Sequence, residues 1–260
     1  MDFSVGQLLL LPLPPGFVPE GTLQCNGQLV SISKWPKLYD VLSISFGGDG
    51  ADTFGIPDIP PMQTAGGVSI HWFIVAEGAS FGGGSAPLYG EVRLFVMQPV
   101  KGPWRLCSGG LLPIAGNEAL YSLLGTTFGG NGTNNFGVPK MAPITLANGA
   151  ELDYYIALDG VFPSTSCDAT TPVNSPSQSY DSLLSTIFFL PYPNAGGLCG
   201  FALCQGQTLR VANPWLPLFA LLGNQFGGTG ATNFLLPNLP AVGGVNFALL
   251  YNGVYPSRSS

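Results

Sequence analysis

"FGGNGTNNFGVP", residues 128–139, decides the fold because it is one of three such stretches. "FGGDGADTFGIP" stands at residues 46–57 and "FGGTGATNFLLP" at residues 226–237. Taken singly, a glycine-rich loop of this kind cradles phosphate, holds calcium, or turns the chain tightly. Aligned, the copies keep their glycines and phenylalanines but vary their acids, Asp52 becoming Asn134 and Thr232. Glycine reaches positive φ without the Cβ clash that hinders other residues, so the shared element is a sharp turn. No Lys-Ser or Lys-Thr follows, and the loop leaves a helix rather than opening one, which argues against a phosphate cradle. "GGDGADTFG" in the first copy fits the calcium-binding nonapeptide pattern. Calcium prefers anionic oxygens, however, and the counterparts of Asp49, Asp52 and Asp58 in the second copy are Asn131, Asn134 and Lys140. The turn reading is preferred, with each pair of phenylalanines (Phe46/Phe54, Phe128/Phe136, Phe226/Phe234) clamping its loop to a core.

Other features fall into register with the loops, so the repeat is real. A cysteine, a polar residue and glycine precede each loop: "LQCNGQLV", "RLCSGGLL" and "ALCQGQTL". Upstream lies an apolar segment, "GQLLLLPLP", "GEVRLFVMQP" or "STIFFLPYP", and each copy closes on an aromatic-rich strand, "IHWFIVAEGASF", "LDYYIALDGVFP" or "VNFALLYNGVYP". The modules span residues 1–83, 88–164 and 183–260, with a Ser/Thr/Pro-rich linker over 165–182. Each opens on a strand stopped by proline. Two short strands are expected to meet at the Cys-X-Gly turn. A short helix follows, with Asn117 as cap and Gly125 as stop in the second copy, Asn213 as cap and Pro214 at N1 in the third, and Ser33 near the cap in the first. Leu38, Val41 and Leu42, then Leu120, Leu123 and Leu124, then Leu218, Leu221 and Leu222 point inward. The fold class is mainly β with one short helix per module, a β-rich α+β arrangement in three tandem copies.

Residues 90–141 carry a resemblance. The opening Gly90-Glu91, the Trp104-Arg105-Leu106-Cys107-Ser108-Gly109 run, the helix-to-loop run from Leu120 to Gly132 and the Phe136–Met141 close resemble the phage tail-collar domain. Such domains occur in short tail fibres and in microcystin-dependent-like proteins, and the first and third modules keep the same skeleton. Where that family often continues "PDLRGR", this chain has "PDIPPM", "PKMAPI" and "PNLPAV", without the arginines. The resemblance implies a structural fibre protein. Since tail-collar domains resemble parts of homotrimeric fibres, three linked copies either imitate a trimer or string out as a rod.

Composition bears on partners. The chain carries 14 acidic and 8 basic side chains among its 260 residues, a net charge of -6. Phosphate backbones require clustered Lys and Arg, so no nucleic-acid partner is expected. The run "LLLLPLPPGFV" is broken by Pro12, Pro14 and Pro15, short of the roughly 20 residues a membrane span needs, and no membrane insertion is expected. Asp2 stands where a signal peptide carries a basic region. The expected location is an extracellular fibre or a virion or phage-tail-like particle without a recognisable signal peptide.

The chemistry is sparse. His71 is the lone histidine, with Asp153 and Asn246 at its place in the other modules. No nucleophile–base set, acid pair or Cys/His metal spacing is legible, so no catalytic residue, metal ligand or cofactor is assigned and no enzyme is expected. Cys25, Cys107 and Cys204 hold equivalent places and read as small core residues. Cys167 reads as unpaired, and a Cys199–Cys204 bridge is a local option. Trp72, Tyr154, Tyr155 and Phe247 read as an intermodule or intersubunit surface. Scarce charge favours self-association, with the opening and closing strands pairing between chains. The alternatives are a tail-fibre tip or adhesin that recognises a cell-surface glycan through aromatic and Asn side chains, and a calcium-dependent adhesin using Asp49 and Asp52.

Overall fold

The computed structural model describes residues 3–78, 86–97, 102–163, 182–193 and 195–258. The chain is mainly β, and each module carries one seven-residue helix: Pro36–Leu42, Glu118–Leu124 and Leu216–Leu222. The expected linker lies outside the described residues apart from Ser182.

The opening strands are Leu8–Leu11, Val92–Phe95 and Ile187–Leu190, and every residue of the first and third is buried. A near-continuous apolar run is what a strand covered on both faces requires. Each pairs antiparallel with the closing strand of its own module, Leu10 opposite Trp72, Leu94 opposite Tyr154 and Phe189 opposite Phe247. The opening strands also pair with one another. Leu10 faces Ile187, Phe189 faces Val92, and Gln7 faces Phe95. In the first two pairs, the position of Leu10 in one module meets the position of Leu8 in the next. The Gln7–Phe95 bridge is antiparallel and sets Leu94 against Leu8 in the same relation. The ring therefore closes, and the three copies surround a pseudo-threefold axis as a trimer does.

This arrangement corrects one expectation. The opening and closing strands do not offer their edges to other chains, because each opening strand is held between its own closing strand and its neighbours' opening strands. Backbone donors and acceptors that a homotrimer pairs between subunits are here satisfied within one chain.

A second layer of contacts repeats around the axis. The turn before each closing strand reaches a neighbouring module: the Ala65 amide donates to the Asn238 carbonyl at 2.9 Å, and Asn148 Nδ2 donates to the Ser45 carbonyl at 3.4 Å. In the third module the turn backbone passes so close to Phe128 that a Cβ on Gly244 would lie 2.9 Å from its ring. The last described residues return to the first module, Glu20 donating its amide to the Ser257 carbonyl at 2.9 Å.

The closing-strand aromatics face this junction. Phe189 lies 5.8 Å from Trp72, 5.9 Å from Tyr154 and 4.9 Å from Phe247, ring centroid to centroid. One side chain thus touches an aromatic from every module, and all four are buried. Tyr155, also buried, packs edge-on against Phe95 at 5.5 Å. The Phe189 cluster is an intermodule core, whereas the Tyr155–Phe95 contact lies within the second module.

Local expectations fare unevenly. Leu38, Leu42, Leu120, Leu124, Leu218, Leu221 and Leu222 are buried, while Val41 and Leu123 are half-buried. The two strands flanking the Cys-X-Gly turn do not pair with each other. Thr22–Gln24 joins the closing strand Ser69–Val75, whereas Leu29–Ser31 pairs with Thr53–Gly55 beyond the glycine loop. The turn itself is held by a different segment, through the Asn26–Asp58, Ser108–Lys140 and Gln205–Asn238 bridges. Its partner is the stretch that directly follows each glycine loop.

Helix starts differ as well. The third helix begins at Leu216, with Pro217 in its first turn, so Asn213 and Pro214 precede it. Asn117 holds the N-cap position but its side chain donates back to the Pro113 carbonyl at 3.0 Å. Ser33 bonds Ser31 at 2.8 Å and the cap position belongs to Trp35. Proline in the first turn of the first and third helices removes an amide that a cap would serve, and the Glu118 carboxylate accepts the Gly116 amide at 2.9 Å ahead of the second.

Truncating a buried phenylalanine costs roughly 3–5 kcal/mol when the walls cannot collapse. Phe189→Ala should therefore lower the stability of the chain by that amount in urea denaturation. A loss under about 1 kcal/mol would mean that the ring packing is not shared between modules.

Candidate functional site

The glycine loops are built alike. Gly48, Gly130 and Gly228 have φ of 96°, 95° and 98°, and a Cβ there would lie 2.4, 2.5 and 2.7 Å from the Cα of Phe54, Phe136 and Phe234. Both backbone angle and space demand glycine at this position. Gly47 and Gly129 share the positive φ but face open space, so the tight position is the second glycine of each pair. The phenylalanines pack as expected, with Phe54, Phe136 and Phe234 fully buried and Phe46, Phe128 and Phe226 resting on the core.

Two further groups stabilise the loops. Tyr39 and Tyr121, on the preceding helices, pack at a tilt on Phe54 and Phe136, ring centroids 5.5 Å apart, and donate their hydroxyls to the Gly50 and Gly132 carbonyls at 3.1 and 3.0 Å. Phe219 takes this place in the third module and packs at a tilt on Phe234 at 5.4 Å. Sequence comparison missed this contact, although the aligned Tyr-Tyr-Phe column was there to find.

The second group is the first acid. Asp49 Oδ1 accepts the amides of Ala51, Asp52 and Thr53 at 2.9, 2.9 and 2.8 Å. Asn131 Oδ1 accepts those of Thr133, Asn134 and Asn135 at 3.0, 3.0 and 3.2 Å. Thr229 Oγ1 accepts two longer bonds, from Thr232 at 3.2 Å and Asn233 at 3.4 Å. The Asp49 oxygen thus serves its own loop, as an amide and a hydroxyl do in the other copies. The Thr53, Ala51 and Asp52 amides, in that order, hold the Asp49 carboxyl down at about 2. Among the described residues, no group of three or more His, Cys, Asp or Glu side chains is placed to hold a metal ion.

The cysteines divide by place. Cys25, Cys107 and Cys204 are buried free thiols whose amides donate to the Trp72, Tyr154 and Phe247 carbonyls at 2.9, 2.8 and 2.8 Å. Burial pushes the Cys107 thiol up to about 12, and raises Cys204 likewise; at Cys25 burial is reinforced by the Asp58 charge. Such thiols are inert. Cys199 is disulfide-bonded while Cys204 is free, so the local bridge between them does not form. Cys167 lies outside the described residues.

His71 sits half-buried on its closing strand opposite Leu11, and the register places Asp153 opposite Phe95 and Asn246 opposite Leu190. The three positions are equivalent, as the repeat implies, and Asn246 Nδ2 donates to the Tyr192 carbonyl at 3.0 Å. Buried charge appears at Glu91, which accepts the Leu88 amide at 3.0 Å and Arg93 Nε at 2.6 Å. Gln7 does the lesser equivalent, accepting the Ser4 amide at 3.4 Å. The Thr186 hydroxyl, at the same place in the third module, is buried without a partner.

Surface concavities follow the modules but are not alike. A groove of about 440 Å³ runs along the first module past Gln24, Asn26, Gln28 and Trp35, with Glu77 and Arg258 at its rim. A cleft of equal volume lies between the first two modules, bounded by Gln7, Arg93, Trp104 and Asp159. Sequence comparison singled out neither, because each is assembled from residues that differ between copies.

The loop chemistry yields a pH prediction. A carboxyl held below its ordinary value near 3.8 stabilises the fold above that pH, and the contribution disappears as pH falls through about 2. Asp49→Asn keeps the acceptor but not the charge, so melting temperatures of the variant should fall less than those of the native chain between pH 4 and pH 2 (about the span of the shift). Parallel curves would contradict the assigned role.

A protein-family model described as Phage Tail Collar Domain matches residues 10–61, 90–144 and 187–241, once in each module and over more than half of the chain. No curated protein matches, and no solved structure matches.

Proposed function

The chain belongs to the phage tail collar domain family, and on that premise we propose that it is a non-enzymatic structural subunit that self-assembles into an extracellular fibre or filament of a phage-tail-like particle. The observation that carries this reading is the closed ring of opening strands. A single chain reproduces the threefold core of a fibre, leaving its two ends for contact with further copies. The dipeptides Val161-Phe162 and Val254-Tyr255 occupy equivalent positions beside the parallel bridges Leu88–Val161 and Leu183–Val254. Their exposures are 52%, 52%, 38% and 50%. Exposed apolar groups repeated at the same place in two modules of a charge-poor chain suit association between copies.

No catalytic set is invoked, and a net charge of -6 offers nothing to nucleic acid. Among the described residues no helix is long and apolar enough to cross a membrane. A second reading, recognition of a cell-surface glycan by a fibre tip, is favoured by the amide-rich groove on the first module.

Electron microscopy of the purified chain at rising concentration tests assembly. The expected result is filaments or stacked particles that disperse in a Phe162→Asp, Tyr255→Asp variant. Native chains that stay single at every concentration would overturn the proposal.

A further inference from the structure

The groove on the first module differs in kind from what its two counterparts present. Gln24, Asn26 and Gln28 alternate along one edge of the chain, and Trp35 stands at the start of the adjacent helix. In the second module the corresponding residues are Leu106, Ser108, Gly110 and Asn117, so the ring and the amides are both missing. In the third they are Leu203, Gln205, Gln207 and Trp215. There, however, Trp215 packs on Tyr251 at 4.4 Å and Gln207 Nε2 donates to the Leu203 carbonyl at 2.5 Å. Only the first module leaves an indole and three carboxamides lining the same open groove.

Charge around the groove is balanced. Lys34 and Arg258 stand against Glu20 and Glu77. The Lys34 ammonium lies 5.1 Å from the centre of the Trp35 ring, and Arg258 donates to the Gly16 carbonyl at 3.2 Å. A polyanion or a polycation gains little from such a lining. A hydroxyl-rich neutral ligand gains much, because carboxamides and carboxylates both accept from and bridge vicinal hydroxyls, and the indole offers an apolar plate to a sugar's C–H face. The volume of about 440 Å³ lies inside the range of small-molecule sites, roughly 300–1,000 Å³. We propose that this groove binds a neutral oligosaccharide, with Trp35 as the stacking platform and Gln24, Asn26 and Gln28 as the hydroxyl-reading groups. The proposal rests on the glycan-recognition reading and is independent of filament formation.

The full chain is applied to an array of neutral hexose and N-acetylhexosamine oligomers beside sialylated and uronate-containing ones, and the strongest neutral hit is then titrated calorimetrically. Affinity should drop at least tenfold in Trp35→Ala and severalfold in Gln28→Ala, whose exposed side chain keeps folding out of the comparison. Gln205→Ala, at the place of Asn26 in the third module, should leave affinity unchanged, and so should added salt. A neutral hit that ignores both groove substitutions overturns the groove while leaving glycan recognition standing. Hits confined to acidic glycans and lost in salt likewise overturn the groove alone, and no hit at all overturns both. Filaments seen by microscopy bear on neither outcome.

Discussion

Two apolar strands, Leu8–Leu11 and Ile187–Leu190, have to be covered on both faces, and the way this is achieved, with Val92–Phe95 completing the ring, sets everything else. Leu8–Leu11, Val92–Phe95 and Ile187–Leu190 each take a closing strand on one edge and a neighbouring module's opening strand on the other. The aromatic cluster around Phe189 fills the space so enclosed. Hydrophobic burial is proportional to the area removed from water, and Phe189 of the third module is buried against rings of the other two. The module is therefore a repeat in sequence but an incomplete unit in packing.

Joining the copies covalently changes what each is free to become. In a homotrimer every position recurs three times by symmetry. Here the place held by Gln7 becomes an ion-paired Glu91 in one copy and Thr186 in another. Gly6 and Gly90, at φ of 84° and 71°, correspond to Ser185, a residue with a side chain at φ 72°. The grooves diverge by the same freedom: Trp35 lines one with the Lys34 ammonium over its ring, while Trp215 packs on Tyr251. Linkage also replaces assembly from three chains by an intramolecular event, with the gain in effective concentration that short linkers bring.

Local signals were legible in the sequence and long-range ones were not. The glycine loops, buried cysteines, helix faces and modular repeat follow from φ preference, residue size and periodicity, and each stands where those rules put it. The Cys-X-Gly turn misled because Asn-Gly is a hairpin signal only when its flanks have no better partners; here Thr22–Gln24 and Leu29–Ser31 each find a strand from elsewhere. The resemblance left a trimer-like ring and a rod both open, and the residues did not decide between them: a run such as "LLLL" states that a strand is buried on both faces without saying against what. The amides and tryptophan of the first-module groove vary between copies, so aligning the repeats averages them away. In a repeat protein the shared residues report the fold, and the unshared ones hold the candidate site.

If the opening strands hold the modules together, none of the three melts by itself. Differential scanning calorimetry of the whole chain measures this most directly. A single transition, with calorimetric and van't Hoff enthalpies equal for the full chain, is the result expected of one cooperative unit. Three separable transitions, or a van't Hoff enthalpy well below the calorimetric enthalpy per chain, would contradict it, because either shows modules that melt alone.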